Sequence, residues 1–196
     1  NKLYYMIPNI IHFVFFCDSD FNFTFCYYLA IYSAYIINSP DKIYFYYDKI
    51  PKGEWWDKTI EIPNIILERV EIPSKIGEKE IIPIAHKADK VRMEKFFDRG
   101  GIYIDIDTIS YKSYEHLLDN KVVLGRQVPY VGLCNAIMMT EPKSEFFKIW
   151  LENYEQHFQP TGWNESSISL PYELSLKYPE LLKVMNPETF FIPSYN

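Results

Sequence analysis

GGIYIDID, residues 100–107, is an apolar strand pattern that ends in two carboxylates. Gly100 and Gly101 break whatever precedes them, and Ile102, Ile104 and Ile106 then alternate with Tyr103, Asp105 and Asp107. In a strand, i and i+2 share a face, so the isoleucines point one way and Tyr103, Asp105 and Asp107 the other. A strand running through 107 would hold the two carboxylates roughly 6.5–7 Å apart. Charge carried into a sheet is costly unless it is paired or bound to a cation, so this strand end needs a compensating partner.

The nearest partner lies upstream. Residues 84–99 read as a helix stopped by Gly100-Gly101. Within it Asp89 and Arg92 are i and i+3 and share a face, which Phe96 extends at i+7 from Asp89, so this face turns inward. An acid–arginine pair, a tight glycine turn and two aspartates therefore converge on one region. Hard carboxylate oxygens suit Mn²⁺ or Mg²⁺, which usually complete their shells with substrate phosphates. Arg92 suits a phosphate or sugar hydroxyl, and Asp89 can accept from sugar hydroxyls. Plainer readings stand beside these: Asp-x-Asp at a strand end is often a turn, and Asp–Arg at i,i+3 is often a surface pair.

Outward from this unit, 7–16 (IPNIIHFVFF) reads as a buried first strand with His12 as a core histidine. A helix is expected over 22–38, ending at the Asn38-Ser39-Pro40 turn, and strands over 42–48 and 65–73. The stretch 51–64, with Pro51, Gly53 and Pro63 around Trp55-Trp56, reads as a loop. Later strands are expected over 121–127 and 135–141, and a helix over 144–158 with Phe147, Trp150, Leu151 and Tyr154 on its apolar face. Helical and loop pieces follow. Strands alternating with helices predict an α/β domain with a mainly parallel central sheet, whose ligands bind beyond the carboxyl ends of the strands, where Asp105 and Asp107 lie.

The 196 residues are 48% hydrophobic, 18% aromatic and 23% charged, which predicts one domain over 1–196 with a sizeable core. A net charge of −6 lacks the basic stripe of a nucleic-acid binder, though it leaves room for a local basic pocket. No stretch reaches the about 18 apolar residues of a membrane span. Cys17, Cys26 and Cys134 form no disulfide framework and favour a reducing compartment, so a soluble, cytoplasmic chain is expected. A chain that begins at Asn1 rather than Met leaves room for a removed leader or anchor.

The motif Ala88-Asp89-x-x-Arg92 followed by Gly100-Gly101-Ile102-Tyr103-x-Asp105-x-Asp107 resembles the hallmark of the DXD-containing glycosyltransferase family 32. That group includes yeast initiating α-1,6-mannosyltransferase, animal α-1,4-galactosyltransferase and bacterial capsular sugar transferases. IPNIIHFVFF resembles the family's opening strand, Asn135-Ala136 its later Asn-Ala strand, and Thr161-Gly162-Trp163 falls where relatives carry an acceptor-side loop. The resemblance implies the GT-A nucleotide-diphospho-sugar transferase fold, with helices flanking the sheet. It implies a retaining, metal-dependent transfer from a nucleotide sugar, UDP-sugar favoured over GDP-mannose, to a saccharide or glycoconjugate acceptor.

It further implies Asp105 and Asp107 as catalytic residues and Mn²⁺ or Mg²⁺ ligands. Asp89, Arg92 and Asp105 are implied on the donor sugar, Val14 and Phe15 beside the nucleotide base, and Asn135 and Trp163 as donor or acceptor contacts. Phe15 stands where many relatives have Trp, and Cys17 where they have Gly. Relatives commonly take a further ligand, often His, from near the C-terminus. No histidine follows His157 here, which fits a chain that stops short of that segment, a water in that ligand's place, or a nucleotide-sugar-binding protein without turnover. IYIDIDTI also fits the nucleophile motif of haloacid-dehalogenase-type phosphatases, with Asp105 as nucleophile. That motif normally opens its fold, and the later acidic cluster it needs is missing here.

Overall fold

The computed structural model describes residues 6–17, 21–127 and 132–191. In chain order the elements are β1 (Ile10–Phe15), α1 (Phe25–Asn38), β2 (Lys42–Tyr47), α2 (Glu54–Ile60), β3 (Ile65–Arg69), β4 (Lys75–Ile76), β5 (Lys79–Glu80), α3 (Ile84–Arg99) and β6 (Gly101–Ile104). Then come β7 (Val122–Arg126), β8 (Leu133–Thr140), α4 (Glu145–His157), a π-helical turn over Glu165–Ser169, α5 (Leu170–Lys177) and β9 (Lys183–Met185).

Seven strands form one sheet in the order β3-β2-β1-β6-β8-β7-β9, and β4 pairs with β5 as a separate small hairpin. The β1–β2, β2–β3, β1–β6 and β7–β9 pairs are parallel, while β8 runs antiparallel to both its neighbours. The expected mainly parallel sheet is present. One face packs Ile11, Phe13, Phe45, Ile102, Ile104 and Met139 against Ile31 and Ala34 of α1 and Trp56 of α2. The other packs Val14, Tyr46, Tyr103, Leu124 and Met138 against Phe96 of α3 and Phe147 and Trp150 of α4. No helix among the described residues is long and apolar enough to cross a membrane.

Helix α3 spans the expected 84–99, but three expectations change. The stretch 51–64 is not all loop: α2 forms within it because Trp56 buries itself against Phe23 and Phe45, with ring centroids 5.4 and 5.2 Å away. Strand β6 ends at Ile104 rather than 107. Asp105 still takes a ladder bond, N–H to the Ala136 carbonyl at 2.8 Å, but Thr108 N–H then closes a turn on the Asp105 carbonyl at 3.0 Å. Strand β9 was not legible, because three residues flanked by turns carry no periodicity of their own.

The Gly-Gly pair is explained by closeness. Gly100 (φ 63°) leaves the helix with its N–H on the Phe96 carbonyl at 2.8 Å. At Gly101 (φ 116°) a Cβ would sit 2.4 Å from the Ile10 carbonyl oxygen. His12 braces this turn as a core residue. Its Nε2–H donates to the Gly100 carbonyl at 2.8 Å, which leaves Nδ1 to accept from the Tyr46 hydroxyl at 3.0 Å. Arg99 donates to that hydroxyl at 2.7 Å, which fixes the direction of the chain of bonds. Burial lowers the His12 pKa to about 4, so the neutral ring is the folded form.

Candidate active site

Helix α3 presents His86, Asp89, Arg92 and Phe96 toward the sheet, and all four are buried. Asp89 and Arg92 are only 6% and 7% exposed, which excludes the surface-pair reading. Arg92 Nε lies 3.3 Å from Asp89 Oδ1, and its Nη1 lies 3.0 Å from Asp105 Oδ1. The same Nη1 donates to the Asn135 carbonyl at 3.0 Å. The guanidinium lies over the Tyr103 ring, 4.4 Å from its centroid, and the Tyr103 hydroxyl donates to Asp105 Oδ1 at 2.8 Å. The helix pair and the first aspartate are therefore one network.

The charges are consistent with that geometry. Burial by itself would lower the Arg92 pKa, but Asp105, then Tyr103 and Asp89, hold it above its ordinary value. Burial pushes the Asp105 carboxyl up, and Arg92 and Tyr103 offset only part of that. Both of these partners occupy Oδ1. Asp105 and the exposed Asp107 line a cleft of about 890 Å³.

The walls of this cleft come from both sides of the sequence. Thr108, Ile109, Tyr111–Tyr114, His116 and Leu117 form one side, Gln127, Cys134, Ala136 and Ile137 the β7–β8 side, and Met185, Asn186 and Glu188–Phe191 the C-terminal side. Strand β7 admits the last of these because Gly125 has no side chain: a Cβ there would lie 2.5 Å from the Phe190 ring.

Asn135 reaches the site through an irregularity of β8. Leu124 pairs with Met138 but the next residue, Gly125, pairs with Cys134, so Asn135, Ala136 and Ile137 bulge out of the β7 ladder. Bulges re-aim side chains, and here the Asn135 amide donates to Asp89 Oδ1 at 2.9 Å. Trp163 is 63% exposed and sits 5.6 Å from the His86 ring. Val14 and Phe15 end β1 with their side chains in the two core clusters, Phe15 among Phe23, Tyr27 and Phe45. Neither lines the cleft.

Sequence reasoning missed His86, Tyr103 as a ligand of Asp105, and the 185–191 wall. His86 could have been found, since it lies at i−3 from Asp89 on the same helical face. The C-terminal wall could not, because nothing in its sequence says where it packs.

Hard oxygen donors at the cleft fit a divalent cation: Asp107 is exposed there, and Asp105 keeps one oxygen clear of Arg92 and Tyr103. Among the described residues no group of three His, Cys, Asp or Glu side chains is arranged to hold a metal. Such an ion would need phosphate or water oxygens to complete its shell.

Comparisons with known proteins agree with this architecture. Residues 18–124 match the family model described as a glycosyltransferase sugar-binding region containing a DXD motif. Over 178 residues the chain is 34% identical to glucan organizing enzyme 1 of Cryptococcus neoformans var. grubii, covering 86% of this chain and 48% of that protein. The chain thus spans about half the length of this curated relative.

Among solved structures it superposes on the PaToxG glycosyltransferase with a TM-score of 0.63 at 16% identity, covering 89% of this chain and 70% of the other. The apo glycosyltransferase GlyE of Streptococcus pneumoniae gives 0.56 at 14%, covering 93% and 46%. The galactosyltransferase LgtC, solved with donor and acceptor sugar analogues, gives 0.52 at 16%, covering 91% and 73%. At such identities these likenesses speak for the fold alone, which is the GT-A fold, and the phosphatase reading falls away. With the family match over more than half its length, this chain belongs to the glycosyltransferases whose sugar-binding region contains the DXD motif.

Proposed function

We propose that residues 1–196 act as one glycosyltransferase domain that moves a sugar from a nucleoside-diphosphate sugar to a hydroxyl of a saccharide or glycoconjugate, with retention and with Mn²⁺ or Mg²⁺. UDP-sugars rank before GDP-mannose as donor. The observation that carries this reading is the polarity of Asp105: Arg92 and Tyr103 hold one oxygen at the carboxyl end of the central strand β6, beside a cleft that Asp107 also lines. The fungal relative is named for glucan organisation, so glucan fragments are the first acceptors to test.

In this mechanism Asp107 and the oxygen of Asp105 not engaged by Arg92 and Tyr103 would hold the cation, which would supply positive charge to offset that of the leaving diphosphate. Arg92 and Asp89 orient the donor sugar from the α3 side, and Asn135 adds an amide from the bulge. Their bonds to one another fix them before substrate arrives, which lowers the reorganisation needed as charge develops at the anomeric carbon. The nucleotide base lies beyond the end of β1, whose last residues Val14 and Phe15 are held in the two cores and steady that strand end rather than touching the base.

The second reading is a nucleotide-sugar-binding protein without turnover. It is motivated by the lack, among the described residues, of a third protein ligand beside the two aspartates. One assay separates the two: nucleotide release from UDP-glucose, UDP-galactose, UDP-N-acetylglucosamine and GDP-mannose with Mn²⁺. Release of one nucleotide, lost in Asp107→Ala, supports transfer. Mn²⁺-dependent binding without release, with or without an acceptor, supports the second reading.

A further inference from the structure

His86 is the buried titratable group that the mechanism above does not use. It is 4% exposed, in the first turn of α3. Its Nε2 donates to the Gly162 carbonyl at 2.9 Å. Its ring stands edge-on to Phe158, centroids 5.5 Å apart, and lies 5.6 Å from the Trp163 ring. Its Nδ1 faces Asp89 Oδ2 at 3.6 Å, within ion-pair reach but too long for a hydrogen bond. One imidazole thus joins the sugar-side carboxylate to the loop after α4.

That loop is built rather than loose. Lys79 donates to the Phe158 carbonyl at 2.7 Å, Gly162 N–H to the Gln159 carbonyl at 3.0 Å, and the Ser167 hydroxyl to the Trp163 carbonyl at 3.4 Å. The Glu165 carboxylate lies over Gly162, with an oxygen 2.2 Å from where a Cβ would sit. The following residues, Glu165–Ser169, form a π-helical turn, an arrangement frequent at functional sites, and Trp150 Nε1 donates to the Ser166 carbonyl within it. The result is a well-anchored loop that leaves an indole 63% exposed. Hydrophobic burial would favour tucking that ring away.

We infer that His86 is a positioning residue that fastens the Gly162–Trp163 loop to Asp89, so that the Trp163 indole is presented as a stacking platform for a hexopyranose ring of the acceptor. This rests on the transferase reading above. The platform suits a neutral sugar, whose C–H face packs on an aromatic face while its hydroxyls stay hydrated. Asp89 then serves both sides, ordering Arg92 and Asn135 toward the donor and His86 toward the acceptor loop. The Asp89 carboxylate, working against burial, raises the His86 pKa.

The test uses the full chain, its His86→Ala, His86→Gln, Trp163→Phe and Trp163→Ala variants, and two readouts. The first is acrylamide quenching of Trp163, isolated by difference from Trp163→Phe. His86→Ala should raise its quenching constant about twofold, and His86→Gln, whose amide still donates to Gly162, should restore it. The second is a kinetic split, with methyl α- and β-glucopyranoside, galactopyranoside and mannopyranoside as acceptor probes in the presence of Mn²⁺ and the donor that turns over.

Loss of one ordered aromatic contact should raise the acceptor KM about fivefold in His86→Ala and Trp163→Ala, with the donor KM little moved. Equal movement of both KM values, or unchanged quenching in His86→Ala, overturns the inference. If no donor is turned over, the transferase reading fails by itself. The inference is then decided by quenching and by titrating the same glycosides against Trp163 emission, where no response up to their solubility limit sinks the platform.

Discussion

Arg92 Nη1 lies 3.0 Å from Asp105 Oδ1, and this contact welds the middle of α3 to the end of β6. It joins the two halves of the sequence motif into a single charged cluster around one buried guanidinium. Tyr103 reinforces it twice, with its ring beneath that guanidinium and its hydroxyl on the same carboxylate oxygen.

Removing Arg92 should therefore cost stability as well as function. In Arg92→Leu, Asp89 is left buried and Asp105 half-buried without their shared cation, and the expected loss is about 3–5 kcal/mol. Urea unfolding of the variant against the parent chain measures it. A loss below about 1 kcal/mol would mean that the carboxylates find other partners or take up protons instead.

Asp107 should behave in the opposite way. It is exposed, so Asp107→Ala should leave the melting temperature within about 2 °C, as surface substitutions do. Calorimetric titration with Mn²⁺ and a UDP-sugar should show donor binding lost. Retained Mn²⁺-dependent binding would remove this residue from the metal site.

The Gly-Gly turn should not tolerate a side chain. Gly101→Ala combines a φ of 116° with a Cβ 2.4 Å from the Ile10 carbonyl oxygen, neither of which a rotamer change relieves. A loss of about 3 kcal/mol is expected in thermal or urea unfolding. Gly125→Ala is expected to act locally instead, by displacing the Phe190 ring that packs there and so widening the C-terminal wall of the cleft. Faster amide exchange confined to the residues around Phe190 would show it, and exchange unchanged there would count against that wall's dependence on Gly125.

His12 should make the fold acid-sensitive. Its folded pKa, about 4, lies below its ordinary value of 6.5 because burial disfavours the imidazolium. The unfolded state therefore binds a proton first as pH falls. The stability His12 contributes is complete above about 6.5 and is lost progressively between there and about 4. The full difference amounts to about 3 kcal/mol. Urea midpoints at about pH 7.5, 6, 5 and 4.5 for the chain and for His12→Gln should converge toward low pH, and parallel curves would show that His12 does not carry the effect.

Local pattern alone determined a good deal about this protein. The 3.6 period places Asp89, Arg92 and Phe96 on one helical face, and the period of two places Tyr103 and Asp105 together opposite the isoleucines. Both placements persist: Tyr103 bonds Asp105 even though strand β6 ends at Ile104 and the chain turns after Asp105. The alternation of strands and helices was enough for the mainly parallel sheet, since parallel neighbours need long crossovers and helices supply them across the sheet faces.

What the tertiary structure decided is everything that depends on residues distant in sequence. The seven-residue α2 exists because Trp56 has Phe23 and Phe45 to bury against, which its flanking prolines and glycine conceal. Asn135 meets Asp89 only because β8 bulges, and a bulge is a mismatch between two strands that neither sequence records alone. The closing of the DXD cleft by 185–191 and the fastening of Trp163 by His86 are likewise contacts across long loops. A sequence repeats its own local geometry residue by residue, but the energy of such contacts resides in the pair, and only the folded chain brings the pair together.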